Sequence, residues 1–222
     1  MHGLALLYDL EGFSKFFNQP DVQDYVPKFL NHVSQALSLT LFGGNSYWMP
    51  GGKEYPPLLQ APIHEKFLGD GMLYVWTLRR GDADFDPAFI TDLCNRLWNL
   101  KLRFAELLKR AADDVPVVDL PSRVRFGLAR GTIYELTRAR GTQKEYIGFC
   151  INLASRLQKY SPGLGFIASA RIGLRDEVLT KHGYIKVVAT KIRGFPEEIV
   201  VVDKNEFTKL PEPDRTELFR KL

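Results

Sequence analysis

Two aspartates stand where an apolar strand-like run gives way to a turn. Asp9 follows the short run 4–8, and Asp70 lies at the centre of Gly69-Asp70-Gly71. Hard divalent cations such as Mg²⁺ take oxygen donors and are typically held by one or two carboxylates together with substrate phosphate. A pair of such cations can activate an attacking hydroxyl and neutralise a leaving pyrophosphate. Asp is also a common turn former, so position alone does not separate a ligand from a turn residue. Glu11-Gly12-Phe13-Ser14 leads from Asp9 into a helix whose first backbone amides can meet phosphate oxygens, although a plain capping turn reads the same way. Asn152 and Arg156 are four apart on one predicted helix face. There an amide and a guanidinium can grip a ribose oxygen and a phosphoryl group together, while a merely solvated face has the same spacing.

The elements that must position these residues follow from periodicity. The run 4–8 reads as a buried strand. Tyr25, Val26, Phe29, Leu30, Val33, Leu37 and Leu41 recur at helical spacing, with regular helix starting near Pro27 and Gly43-Gly44 ending it. Residues 45–62, rich in Gly, Pro and aromatics, read as a long irregular loop. Residues 65–68 and 72–77 form a hairpin through Gly69-Asp70-Gly71, and a hairpin beside the first strand brings Asp9 and Asp70 together. Asp86-Pro87 opens a second long helix. Residues 123–129 continue through 131–136 into a further hairpin, 151–160 form a helix, and strands follow at 165–168, 185–189 and, as the terminal strand, 199–202. A short helix is expected within 172–179. The order implies an α+β or α/β sheet carrying helices on its faces.

Bulk properties narrow the function. A chain of 222 residues with 45% apolar and 25% charged residues suits one globular domain. Its net charge of +4 is spread over scattered Lys and Arg, which argues against a nucleic-acid surface and suits a single anionic ligand. Cys94 and Cys150 lie far apart without metal-ligand spacing, so a reduced cytoplasmic setting is expected. The run 4–8 is too short for a signal segment, and nothing approaches membrane-spanning length. His2, His32, His64 and His182 show no ligand spacing.

Taken together, Asp9-Leu-Glu-Gly-Phe-Ser14, Lys66-Phe-Leu-Gly-Asp70-Gly71 and Tyr146-Ile-Gly148 before Asn152-Leu-Ala-Ser-Arg156 resemble the class III adenylyl and guanylyl cyclases in motif and in order. The resemblance runs from about residue 4 to 202. It implies an α+β sandwich with a βαββαβ core, a mostly antiparallel sheet and packed helices, all as one catalytic domain over 1–222 with an insert near 43–62. It implies two divalent ions per site, Mn²⁺ or Mg²⁺, on Asp9, Asp70 and the carbonyl of Leu10. The amides of Phe13 and Ser14 match phosphate-binding positions, and Asn152 and Arg156 match the transition-state pair. Arg193 falls where the family usually has a phosphate-binding lysine, a change of geometry at constant charge. A homodimer with two composite sites is implied, the metal aspartates of one subunit facing the Asn/Arg pair of the other.

The family's base-reading pair falls at Lys66 and Glu145, a combination typical of neither adenylyl nor guanylyl cyclases. A lysine donor with a carboxylate acceptor suits adenine, cytosine or uracil. The lack of an evident sensor segment and the aromatic loop with Tyr47, Trp48 and Tyr55 resemble the pyrimidine cyclases of bacterial Pycsar antiphage defence. Those enzymes make cUMP or cCMP for a separate cyclic-nucleotide-binding effector. The expectation is therefore UTP conversion, with CTP, then ATP, then a non-catalytic nucleotide-binding module as alternatives.

Overall fold

A computed structural model describes residues 1–49, 51–79, 81–137 and 144–222. Its strands are β1 (His2–Glu11), β2 (Gly44–Asn45), β3 (Glu54–Tyr55), β4 (His64–Phe67), β5 (Gly71–Thr77), β6 (Arg123–Thr137), β7 (Lys144–Gly148), β8 (Phe166–Ser169), β9 (Tyr184–Ala189), β10 (Glu198–Asp203) and β11 (Phe219–Arg220). Its helices are α1 (Phe13–Phe17), α2 (Val26–Phe42), α3 (Pro87–Ala111), α4 (Phe149–Gln158), α5 (Asp176–His182), α6 (Lys204–Lys209) and α7 (Glu212–Leu218). Two compact units emerge. The first comprises Met1–Asp9, Pro62–Thr91 and Arg125–Leu222, and the second Leu10–Ala61 and Asp92–Val124.

The first unit is built on a sheet in the order β11-β9-β10-β8-β6-β1-β5-β4, with β7 paired to β6. Most of its pairings are antiparallel, and β6 runs parallel to β8. The alternation of side chains along a strand decides what each face does. On β1, Ala5 and Leu7 join Leu73, Val75, Ala129 and Ile133 beneath Leu153, Ala154 and Leu157 of α4. The opposite face carries Tyr8 edge-on to Phe126, and Tyr74 beside Trp76. Burying this set withdraws large apolar side chains from water, each contributing on the order of 2 kcal/mol. The result is the expected α+β arrangement, with helix packed on a mostly antiparallel sheet.

The second unit holds α1, α2, most of α3 and the paired strands β2 and β3. Phe16 of α1 packs on Phe29 of α2, ring centroids 5.1 Å apart. Part of the segment expected as an irregular loop is therefore a small β-pair, and Pro50 within it lies outside the described residues. Arg96 of α3 anchors it. This residue is 3% exposed, and its Nη1 donates to the carbonyls of Thr40 (2.9 Å) and Pro56 (2.8 Å). Its Nη2 pairs with Asp92 at 2.9 Å, and its guanidinium lies 5.7 Å from the Tyr55 ring centre. Arg96→Met should leave two carbonyls unpaired and cost about 3 kcal/mol in urea unfolding. Limited proteolysis should then cut faster within 45–62.

One expectation needs correction. The strand at 199–202 is not terminal, because α6, α7 and β11 follow, and β11 adds to the sheet edge beside β9. The segment after Val202 is polar and its helices are short, so it carries little periodic signal. Asp203 starts α6 by accepting from the amides of Asn205 and Glu206. Among the described residues, no helix is long and apolar enough to cross a membrane.

Candidate active site

Asp9 and Asp70 reach adjacent positions through strand register. β1 and β5 pair antiparallel with Asp9 opposite Gly71, so Asp70 in the β4–β5 turn lies next to the end of that ladder. Gly71 makes this close approach possible, since a Cβ there would overlap the carbonyl oxygen of Tyr8. The Tyr8 hydroxyl is pushed well above the ordinary tyrosine pKa, first by burial and then by the negative charge of Asp70.

Asp9 is 6% exposed, and a carboxylate so far from water needs compensating charge. It has it from β6: Arg125 Nε and Nη2 donate to its two oxygens, each at 3.0 Å. Lys159, directly after α4, places Nζ 3.7 Å from Asp9 Oδ2. Neither cation was singled out from the sequence. Arg125 sits in an alternating basic and apolar strand, a pattern that reads as a solvated face. Only the spatial neighbourhood of Asp9 distinguishes it.

Lys66 and Glu145 are also brought together, with Lys66 Nζ donating to Glu145 Oε2 at 2.8 Å. The pair joins β4 to β7. His64, two residues before Lys66, lies against Tyr146 with tilted rings and centroids 5.2 Å apart. Its pKa is lowered chiefly by burial, with Glu145 opposing and Lys66 adding to the effect. Tyr146 in turn donates to Glu135 at 3.1 Å, which fixes the β6–β7 hairpin under Glu145.

Asn152 and Arg156 are both exposed on α4, while Leu153, Ala154 and Leu157 bury the other face. The four-residue spacing thus does give one outward face. Arg193 is exposed in the turn between β9 and β10. In the second unit, Gly12 opens α1 in the left-handed region (φ 87°), and no side chain caps that end. Phe13 leans on Phe16 and Phe17, Ser14 is exposed, and Leu10 is buried. Glu11 accepts from Arg123 Nε at 2.8 Å.

The aromatic loop has a local explanation. Trp48 and Tyr55 are buried within the second unit, and Tyr47 lies against His32. Trp48 and Tyr55 are thus taken up by packing there, while Tyr47 stays exposed.

The donor set at Asp9 and Asp70 suits a small hard cation. No cluster of three or more His, Cys, Asp or Glu side chains occurs among the described residues. Two carboxylates alone match Mg²⁺ or Mn²⁺, which keep water and phosphate ligands, and match zinc poorly. Arg125 and Lys159 already show that this carboxylate attracts positive charge.

Comparison with known proteins supports the fold. No protein-family model and no curated protein matches the sequence. Among solved structures, the chain is similar to the adenylyl cyclase CyaB from P. aeruginosa, with 15% identity, TM-score 0.59 and coverage of 90% of this chain and 92% of that one. It is also similar to the guanylyl cyclase Cya2, with 15% identity, TM-score 0.56 and 91% of each chain covered. Adenylate cyclases from Trypanosoma brucei give 15% identity and TM-score 0.56 over 91% of this chain and 90% of theirs. The protein therefore has the fold of a nucleotidyl cyclase catalytic domain.

Proposed function

We propose that the protein is a nucleotidyl cyclase, converting a nucleoside triphosphate into a 3′,5′-cyclic nucleotide and pyrophosphate. The observation that carries this reading is the β1–β5 register, which seats Asp9 beside the Asp70 turn. Divalent cations bound there would lower the pKa of the ribose 3′-hydroxyl and offset the charge of the leaving group. The chain's own residues do the rest. Asp9 and Asp70 hold the cations, and Arg125 is positioned to turn from the Asp9 carboxylate toward phosphate. Asn152 orients the ribose, Arg156 offsets charge building on the α-phosphoryl group, and Arg193 holds the terminal phosphates. Leu10, Phe13 and Ser14 keep the roles that their motif positions give them.

A homodimer with two composite sites belongs to this reading. It is supported by apolar side chains left open to solvent in the first unit. Tyr134 and Ile147 face each other across β6 and β7 and are exposed, as are Leu136 and, near Lys66, Phe67 and Leu68. Such a patch suits a second copy of the chain. Sedimentation velocity should show a dimer that Tyr134→Lys weakens.

Lys66 and Glu145 would read the base. Their adjacent donor and acceptor fit O4 and N3–H of uracil, N3 and N4–H of cytosine, or N1 and N6–H of adenine. We place UTP first, giving cUMP for a separate effector in antiphage defence, on the resemblance to pyrimidine cyclases alone. Incubation with each of the four triphosphates and Mn²⁺ tests it. A preference for ATP over UTP and CTP overturns the pyrimidine reading, and no cyclic product from any of them overturns the cyclase reading. Lys66→Ala should flatten the ranking of bases by about tenfold, the loss of one charge-assisted hydrogen bond.

A further inference from the structure

The carboxylate of Asp9 has more positive charge beside it than one carboxylate requires. Arg125 already occupies both oxygens at 3.0 Å, and Lys159 adds a second cation at 3.7 Å. Arg125 is enclosed, with 16% of its side chain exposed, whereas 64% of the Lys159 side chain is open to water. A long, solvated lysine stem reorients at little cost, while a forked guanidinium docked on two oxygens gives way less readily. The backbone end of Lys159 is nevertheless fixed, because its N–H closes the last turn of α4 on the carbonyl of Arg156 at 3.3 Å. The ammonium therefore swings from a fixed base that keeps Asp9 within its reach.

We propose that Lys159 is a further triphosphate-binding residue, a cation parked on Asp9 that passes to phosphate oxygens when a divalent ion takes the carboxylate. This rests on the cyclase reading above. Charge bookkeeping supports it. Asp9 and Asp70 are matched by Arg125 and Lys159 before loading, and two divalent ions are matched by a triphosphate of about four negative charges on loading. Both states stay near neutral only if both cations remain at the site. α4 would then serve both sites of a dimer, its exposed middle facing the partner and its end facing the chain's own Asp9.

The handover makes the two ligands respond in opposite senses. With Lys159 gone, a free divalent ion no longer competes with the ammonium for Asp9, while the polyphosphate loses a partner. The full chain and its Lys159→Ala, Lys159→Arg and Lys186→Ala variants are titrated with Mn²⁺ alone, read by electron paramagnetic resonance. They are then titrated with inorganic tripolyphosphate in excess Mg²⁺, read by calorimetry. Lys159→Ala should bind Mn²⁺ about threefold more tightly and tripolyphosphate about tenfold more weakly. Lys159→Arg should stay within about twofold of the parent on both, and Lys186→Ala, which loses a surface partner of Asp176, should match the parent. Unchanged tripolyphosphate affinity in Lys159→Ala, or both ligands weakening together, overturns the proposal. If the parent chain binds neither probe, the cyclase reading fails and the inference falls with it, a pattern unlike either of the others.

Discussion

Replacing Asp70 with Asn is expected to lower the cyclisation rate by about a thousandfold, equivalent to about 4 kcal/mol of barrier, with little change in thermal unfolding. Asp70 is half-exposed in a turn, so its charge contributes little to the fold. Asp9→Ala should lose at least as much activity and also stability. It strips a partly buried guanidinium of its two-point partner, and breaking such a pair costs about 3 kcal/mol. The contrast between the two variants is the informative result. Initial rates with the preferred triphosphate, beside urea unfolding of the same preparations, decide it. An Asp70→Asn protein retaining more than about a tenth of the parent rate removes Asp70 from the chemistry.

The second large effect concerns assembly. Asp70→Asn and Arg156→Ala proteins should each be nearly inactive, and mixing them should restore about a quarter of the parent activity. Random exchange makes about half the dimers mixed, and in each of those one composite site draws an intact Asp pair from one chain and an intact Asn/Arg pair from the other. Both substitutions fall at half-exposed or exposed positions, so both proteins should fold. A mixture that stays dead while differently tagged chains co-purify as mixed dimers places all the catalytic groups in one chain. Activity in Arg156→Ala alone would release that residue from its role.

The sequence carried some of this arrangement plainly and hid the rest for physical reasons. The apolar run before Asp9 and the glycine-flanked Asp70 are local signals, and their adjacency follows once β5 pairs with β1. The pairing of Lys66 with Glu145 joins strands 79 residues apart, and only the order of motifs brought them under one reading. Arg125 and Lys159 were invisible because a strand basic residue and a post-helix lysine look like ordinary surface. Arg96 was hidden in the amphipathic pattern of α3, where an arginine counts as polar, yet it is nearly fully buried. Trp48 and Tyr55 follow a related rule: aromatic side chains in a loop announce that they will be buried, not where. The short polar elements after Val202 offered neither periodicity nor a strong turn, and α6 declared itself only through the Asp203 cap.

The seat of the two carboxylates is written in a backbone ladder and in the absence of a methyl group at Gly71. Neither depends on which aliphatic residues fill the layers beneath. A lineage can therefore exchange nearly its whole interior and still deliver the same pair of acids to the same spot. A similar fold is found where about one residue in seven is common to the two chains. By the same logic, the changes such a lineage can least absorb are the smallest ones, a single carbon added at the crossing of two strands.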